Sequence, residues 1–135
     1  MPLLELIAAL NIIASTHGVG RIDAVEHRVG STRLQEIGEA PAAVLLHAAH
    51  RELRRITAPR ELERFCRTVS GEYADIIYSG LWFSPLRKAL SGFVESVQEK
   101  ISGMVRLKLF KGAYSIVGRN AVTAPTPVMM PMVKR

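Results

Sequence analysis

The chain contains 135 residues, about the length of one domain, of which 48% are hydrophobic and 22% charged. This composition excludes wholesale disorder, and the single cysteine, Cys66, excludes an internal disulfide or a cysteine-rich metal site. Eighteen Lys and Arg residues against 12 Asp and Glu give a net charge of +6. Such a charge allows an anionic ligand or an acidic partner without requiring either.

The apolar run at the beginning of the sequence does not resemble a targeting or membrane segment. Glu5 interrupts the run, and no basic segment precedes it. No stretch reaches the ~18 consecutive apolar residues of a membrane span. We therefore expect a cytoplasmic protein with no membrane partner.

The first forty residues show two different patterns. Apolar spacing predicts a helix over residues 3–16 that is apolar on nearly all sides. Gly18 and Gly20 interrupt the chain after it. Alternation then predicts a short strand over residues 21–28, and residues 29–40 have the irregular pattern of a loop.

The middle of the chain reads as three helices. The first is predicted over residues 41–56, because a proline opens it. The second covers residues 59–78 with Thr57 as its cap, and the third covers residues 85–100 with Ser84 as its cap.

The last part of the chain predicts a β-hairpin. Strict alternation marks a strand over residues 104–110, Lys111-Gly112 forms the turn, and residues 113–117 pair back. The sum is an α+β fold with three or four helices packed on a small, mostly antiparallel sheet. We expect one domain over residues 1–119 and a flexible Pro/Met-rich tail over residues 120–135.

The sequence shows neither a metal-binding motif nor a dinucleotide-binding loop. His47 and His50 lie three residues apart on one predicted helix, but no carboxylate shares their turn, so we expect no metal site. Gly18-Val19-Gly20 follows a helix and lacks a third glycine, so it does not predict a dinucleotide loop. Cys66 lies on an apolar helix face and is predicted to be a core residue.

Arginines are concentrated on the predicted helices. Their spacing allows a nucleic-acid surface, but few aromatic residues interleave with them, which favours a solvated helix face and disfavours nucleic acid. The first three are predicted on the solvent side of the helix over residues 41–56. The six residues are Arg51, Arg54, Arg55, Arg60, Arg64 and Arg67.

The glycine-rich segment before the first predicted strand is the densest polar stretch. Carboxylates beside a glycine loop suit an ammonium group, which points to Asp23 and Glu26. The alternative is that these two residues pair with Arg21 and Arg28 across the sheet. The chemistry of the residues alone favours the alternative.

The same segment resembles the "LN…HGVGRID-VENR" stretch of the argininosuccinate synthase family. The similarity continues collinearly over about residues 3–119. The matching pieces are Leu10-Asn11, His17–Asp23, Val25–Arg28, Leu46–Arg51, Tyr73-Ala74, Tyr78–Gly80, Trp82–Pro85, Gly103–Leu109, Lys111-Gly112 and Val117–Arg119.

The resemblance implies an ATP-dependent ligase of arginine biosynthesis. The family adenylates the ureido oxygen of citrulline with ATP and magnesium, releasing pyrophosphate, and the amine of aspartate then displaces AMP. This chain resembles the later part of the synthetase domain. The family's ATP-binding domain and its phosphate loop have no counterpart in these 135 residues, so the chain alone is expected to bind no cofactor and to contain no catalytic residue.

The resemblance also implies site residues and partners. Glu26 matches a citrulline-binding glutamate, and Gly38 stands where the family's "KSRG-YETP" loop has a citrulline-binding tyrosine. One hypothesis is a synthase fragment or split subunit that needs an ATP-binding domain from another chain. The other is a non-catalytic scaffold or regulatory module that docks on a full-length synthase. A homo-oligomer is compatible with both.

Overall fold

A computed structural model describes residues 1–27 and 33–121, with the backbone alone at positions 26 and 27. Within these ranges the chain forms four helices and four strands, which confirms the predicted α+β class. None of these helices is long and apolar enough to cross a membrane. In chain order the elements are α1 (Leu3–Thr16), β1 (Arg21–His27), β2 (Arg33–Glu39), α2 (Pro41–Thr57), α3 (Arg60–Tyr78), α4 (Pro85–Gln98), β3 (Gly103–Phe110) and β4 (Ala113–Ala121).

The strands form two separate two-stranded sheets, β1–β2 and β3–β4. The chain divides into two compact units. The first contains Met1–Arg51 and Val105–Gly118, and the second contains Glu52–Met104 and the chain from Arg119 onward. Helix α2 and the β3–β4 hairpin therefore contribute residues to both units.

The first unit is built around a small apolar cluster. Ala14 of α1, Val19 of the following loop and Leu45 of α2 are its buried members. Inward residues of β3, Leu107 and Leu109, pack against it, as the alternation of that strand requires. The other half-buried residues in contact with the cluster are Leu10, Val44 and Tyr114.

The predicted loop over residues 29–40 is wrong for the segment Arg33–Glu39, which forms β2. This strand pairs antiparallel with β1, with Arg21 opposite Glu39. Every residue of β2 is exposed, so the strand has no buried face to impose an alternating pattern on its sequence. Pairing with β1, rather than local pattern, forms it. Residues 28–32 lie outside the described ranges.

One of the two predicted helix caps is confirmed and the other is wrong. Ser84 is confirmed as the cap of α4, because its Oγ accepts the backbone N–H of Arg87 at 3.2 Å. Thr57 is wrong as the cap of α3. It is the last residue of α2, and its hydroxyl donates to the carbonyl of Leu53 at 2.8 Å. Pro59 occupies the cap position of α3 and offers no side-chain hydrogen bond.

The β3–β4 hairpin is confirmed. Its two turn residues, Lys111 and Gly112, both have positive φ angles, 45° and 83°, as a tight two-residue hairpin turn requires. Strand β4 extends beyond the predicted end at residue 117, so Asn120 and Ala121 belong to the strand rather than to the predicted tail. Residues 122–135 lie outside the described part of the chain.

The second unit contains the α3–α4 pair. The rings of Phe65 and Phe93 meet edge to face, with centroids 5.3 Å apart. Cys66, Val69 and Ile76 are buried along α3, which confirms Cys66 as a core residue.

Candidate functional site

The glycine loop between α1 and β1 is fixed by its own backbone. The N–H groups of His17, Gly18 and Val19 donate to the carbonyls of Ala14, Ser15 and Ala14. The His17 carbonyl accepts the Gly112 N–H of the hairpin turn at 2.7 Å. Because these amides are engaged, the loop cannot cradle a phosphate through them.

Gly20 allows the loop to approach the beginning of α2. Its φ is +108°, and a Cβ there would lie 2.3 Å from the Cα of Pro41. The Gly20 carbonyl accepts the Ala40 N–H at 2.8 Å. Asn11 of α1 adds a second link, since its side-chain oxygen accepts the N–H of Ala42 at 2.9 Å. The side chain of Asn11 therefore caps α2 from another helix.

A cleft of about 180 Å³ opens beside this loop. It is smaller than the roughly 300–1,000 Å³ of typical ligand pockets, so it suits only a small group. At its margin Arg21 Nε lies 3.3 Å from Glu39 Oε1, and both side chains are mostly exposed. Such a pair contributes at most about 1 kcal/mol and is easily displaced by a polar ligand. The remaining lining residues are Ser15, Gly18, Val19, Gly20 and Pro41.

The two sequence-predicted site residues lie on the β1–β2 hairpin. Glu26 pairs with Leu34, and Gly38 pairs with Ile22. The two positions are therefore four residues apart along the ladder, or ~13 Å at the usual rise of a strand. The backbone at Glu26 lies at the opposite end of the hairpin from the cleft.

Position 38 has room for a side chain. A Cβ built on Gly38 meets nothing within 4 Å, and its φ lies outside the region that favours glycine. The tyrosine that the family resemblance places there would therefore fit the backbone and the space.

Two charged residues of β1, Arg21 and Asp23, have side-chain partners across the sheet. Gln35 Nε2 donates to both carboxylate oxygens of Asp23 at 3.0 Å. Arg21 and Asp23 thus have their partners on β2, Glu39 and Gln35, so the predicted pairing of Asp23 with Arg21 is wrong. Arg28 lies outside the described ranges.

Sequence reasoning missed a buried carboxylate in the second unit. Glu52 is 7% exposed. Its Oε2 accepts from Arg119 Nε at 2.7 Å, and its Oε1 accepts from Arg55 Nη1 at 2.7 Å. Burial opposes ionisation, but the hydrogen bonds and charges of Arg119 and Arg55 outweigh it, so the pKa of Glu52 lies below its usual value. Only the three-residue spacing to Arg55 was visible in the sequence.

The arginine-rich face is partly neutralised. The predicted solvent-side position of Arg54 is wrong, because its side chain is only 14% exposed and lies 3.8 Å from Glu63 of α3. Arg67 approaches the same carboxylate at 3.4 Å. Pairing with acidic residues of α2 and α3 accounts for three of the six arginines, Arg54, Arg55 and Arg67.

A polar contact also joins α3 to α4. Tyr73 Oη and Ser91 Oγ share a hydrogen bond of 3.0 Å, and Arg87 Nη1 donates to Ser91 at 3.2 Å. The hydrogen bond to Ser91 lowers the pKa of Tyr73. Among the described residues, no group of three or more His, Cys, Asp or Glu side chains is placed to hold a metal ion.

Among the described residues, four helices thus accompany two two-stranded sheets, and the amides of the glycine loop at residues 17–19 are engaged by backbone carbonyls. The chain belongs to the argininosuccinate synthase C-terminal domain family, whose model matches residues 1–125. This finding confirms the resemblance seen in the sequence motifs.

The curated relatives that the chain matches are named argininosuccinate synthase. One from Pelodictyon phaeoclathratiforme is 52% identical over 118 residues, which are 87% of this chain and 30% of the relative. One from Oceanobacillus iheyensis is 51% identical over 121 residues, which are 90% of this chain and 29% of the relative. The chain therefore spans about 30% of the length of the relatives it matches.

Proposed function

We propose that this chain is the carboxyl-terminal, citrulline-holding part, a fragment or a split subunit, of a cytoplasmic argininosuccinate synthase whose ATP-binding part completes the enzyme. The observation that carries this proposal is the match at about half identity over 118 residues of relatives named argininosuccinate synthase. In the complete reaction, citrulline and aspartate are joined with ATP and magnesium to give argininosuccinate, AMP and pyrophosphate.

In this proposal this chain binds and orients citrulline. Glu26 holds the α-ammonium group of citrulline by charge-assisted hydrogen bonds. Adenylation of the ureido oxygen and attack by the aspartate amine need groups on the ATP-binding part. The closed backbone of the glycine loop supports this division, because its amides at residues 17–19 are occupied by backbone carbonyls.

A second function has a specific observation in its favour. Gly38 replaces the tyrosine that the resemblance assigns to citrulline binding, so one expected ligand hydrogen bond is missing. A non-catalytic scaffold or regulatory module would keep the fold and lose this contact. The two functions therefore differ in whether the hairpin still binds citrulline.

Calorimetric titration of citrulline separates them. The titration uses this chain mixed with the amino-terminal part of the Pelodictyon relative. We expect weak binding that falls at least about tenfold in Glu26→Gln, because a hydrogen bond to a charged group contributes ~1.5–3 kcal/mol. Gly38→Tyr is expected to strengthen binding about tenfold, since the position is open.

Gly38→Phe is the matched control, because it fills the same space without the hydroxyl. Strengthening by tyrosine but not by phenylalanine supports a citrulline site on this hairpin. Absence of citrulline heat in the parent chain and in Gly38→Tyr overturns the proposal in favour of the scaffold.

A further inference from the structure

The connection between α3 and α4, together with the first turn of α4, exposes four neighbouring large apolar side chains. Phe83 is 92% exposed, and Leu81, Leu86 and Trp82 are 53%, 52% and 48% exposed. We call these four residues the aromatic turn. All four lie in the second compact unit. Clusters of large apolar side chains left open to water mark interaction surfaces in soluble proteins.

The aromatic turn is held in one conformation. Gly80, at φ +71°, ends α3, and the Leu81 N–H donates back to the Ile76 carbonyl at 2.9 Å. The Ser84 N–H donates to the Leu81 carbonyl at 3.0 Å. These bonds fix the turn before any partner arrives, which reduces the entropy that binding would cost.

Arg87 of α4 contacts both the backbone and the ring of Trp82. Its Nε donates to the Trp82 carbonyl at 2.8 Å, and its guanidinium lies 5.0 Å from the centroid of the indole ring. The indole is therefore anchored while the Phe83 ring points into solvent. A rigid turn that presents one fully exposed aromatic ring has the form of an interface anchor.

The comparison with relatives indicates what covers the turn. The aromatic turn lies within residues 1–125, which match the model of the argininosuccinate synthase C-terminal domain. The relatives contain about 70% of their length outside the match, because the match covers 30% of them. An exposed apolar surface within the matched region can therefore be covered by the part of a synthase that lies outside the match.

We propose that the aromatic turn docks into an apolar pocket on the amino-terminal part of an argininosuccinate synthase, with Phe83 as the anchor. This inference rests on the proposed function, since it names the partner and the surface of the same assembly. It is nevertheless tested by binding, which does not require turnover.

The test uses the fact that Trp82 is the only tryptophan of the chain. The full chain is labelled with 5-fluorotryptophan and titrated with the unlabelled amino-terminal part of the Pelodictyon relative, whose folding is checked by its own binding of ATP. We expect the single fluorine resonance to shift on binding. Phe83→Asp is expected to weaken binding about 30-fold or more, the loss typical of an interface anchor.

Ser96→Asp is the matched control, because Ser96 is exposed and lies ~16 Å further along α4. It adds the same charge away from the turn and is expected to bind like the parent chain. Circular dichroism and the fluorine resonance of the free chain show that each variant is folded.

The outcomes separate this inference from the proposed function. A fluorine shift and a Phe83 effect without any pyrophosphate release support the docking surface and contradict the synthase function. A catalytically active mixture with an unchanged resonance and a normal Phe83→Asp variant overturns the docking surface alone. A resonance that moves with the concentration of this chain, without partner, overturns it in favour of a second copy.

Discussion

Glu52 is the clearest case of one residue joining distant parts of the sequence. It belongs to α2, and Arg119 belongs to β4, 67 residues later. The carboxylate is buried while Arg119 and Arg55 are 39% and 54% exposed at their side chains. Glu52 therefore depends on the two cations more than they depend on it, since they retain access to water.

Removal of Arg119 should be costly. We expect Arg119→Met to lower the free energy of unfolding by about 1–3 kcal/mol, because Glu52 stays buried with one charged partner fewer. Arg55→Met should cost less than about 1 kcal/mol, since Arg55 is more exposed and only one helical turn away. Urea denaturation of both variants measures the difference. Equal losses would contradict the assigned importance of Arg119.

The lowered pKa of Glu52 gives a pH dependence with a definite sign. In the folded state the pKa of the Glu52 carboxyl lies below its usual value of 4.5, so the group stays ionised at lower pH than in the unfolded chain. Its contribution to stability is therefore complete above pH 4.5 and is lost as the pH falls through the folded pKa. The parent chain and Glu52→Gln should differ most above that pH and converge in acid. A difference that grows in acid would contradict this assignment.

At the scale of elements, the close approach of the glycine loop to the beginning of α2 leaves no room for a side chain at Gly20. Gly20→Ala should lower the free energy of unfolding by roughly 2–5 kcal/mol, from backbone strain and the clash with Pro41. Gly38→Ala is the matched control on the same hairpin. It enters open space and should be neutral or stabilising by about 0.5–1 kcal/mol. Thermal unfolding compares them, and similar melting temperatures would contradict the close approach of Gly20 to Pro41.

The elements also show what local sequence can predict. The β3–β4 hairpin was predictable because β3 has a buried face and its turn residues are typical of tight hairpins. Strand β2 was not, because all of its residues are exposed and only its pairing with β1 defines it. The position of Thr57 is not predictable, because a threonine near a proline suits either the end of one helix or the beginning of the next, and contacts beyond the local sequence decide between them.

At the scale of the whole molecule, the family was readable from collinear motifs, and so was the position of Glu26 in β1. The geometry of the site was not. The separation of Glu26 from the cleft depends on the register of β1 with β2, and the link between Glu52 and Arg119 depends on tertiary folding. Neither the strand register nor this long-range contact produces a recognisable pattern in the local sequence. The exposure of Phe83 was also hidden, because a phenylalanine before a capped helix reads equally well as a core residue.

The most direct test of the synthase function is pyrophosphate release from a reconstituted mixture. This chain and the amino-terminal part of the Pelodictyon relative are assayed separately and together with ATP, magnesium, citrulline and aspartate. We predict no release from either part alone, release from the mixture that requires citrulline, and a loss of at least about tenfold in Glu26→Gln. Citrulline-dependent release by this chain alone, or none from a mixture whose parts demonstrably bind each other, would contradict the proposed division of the enzyme.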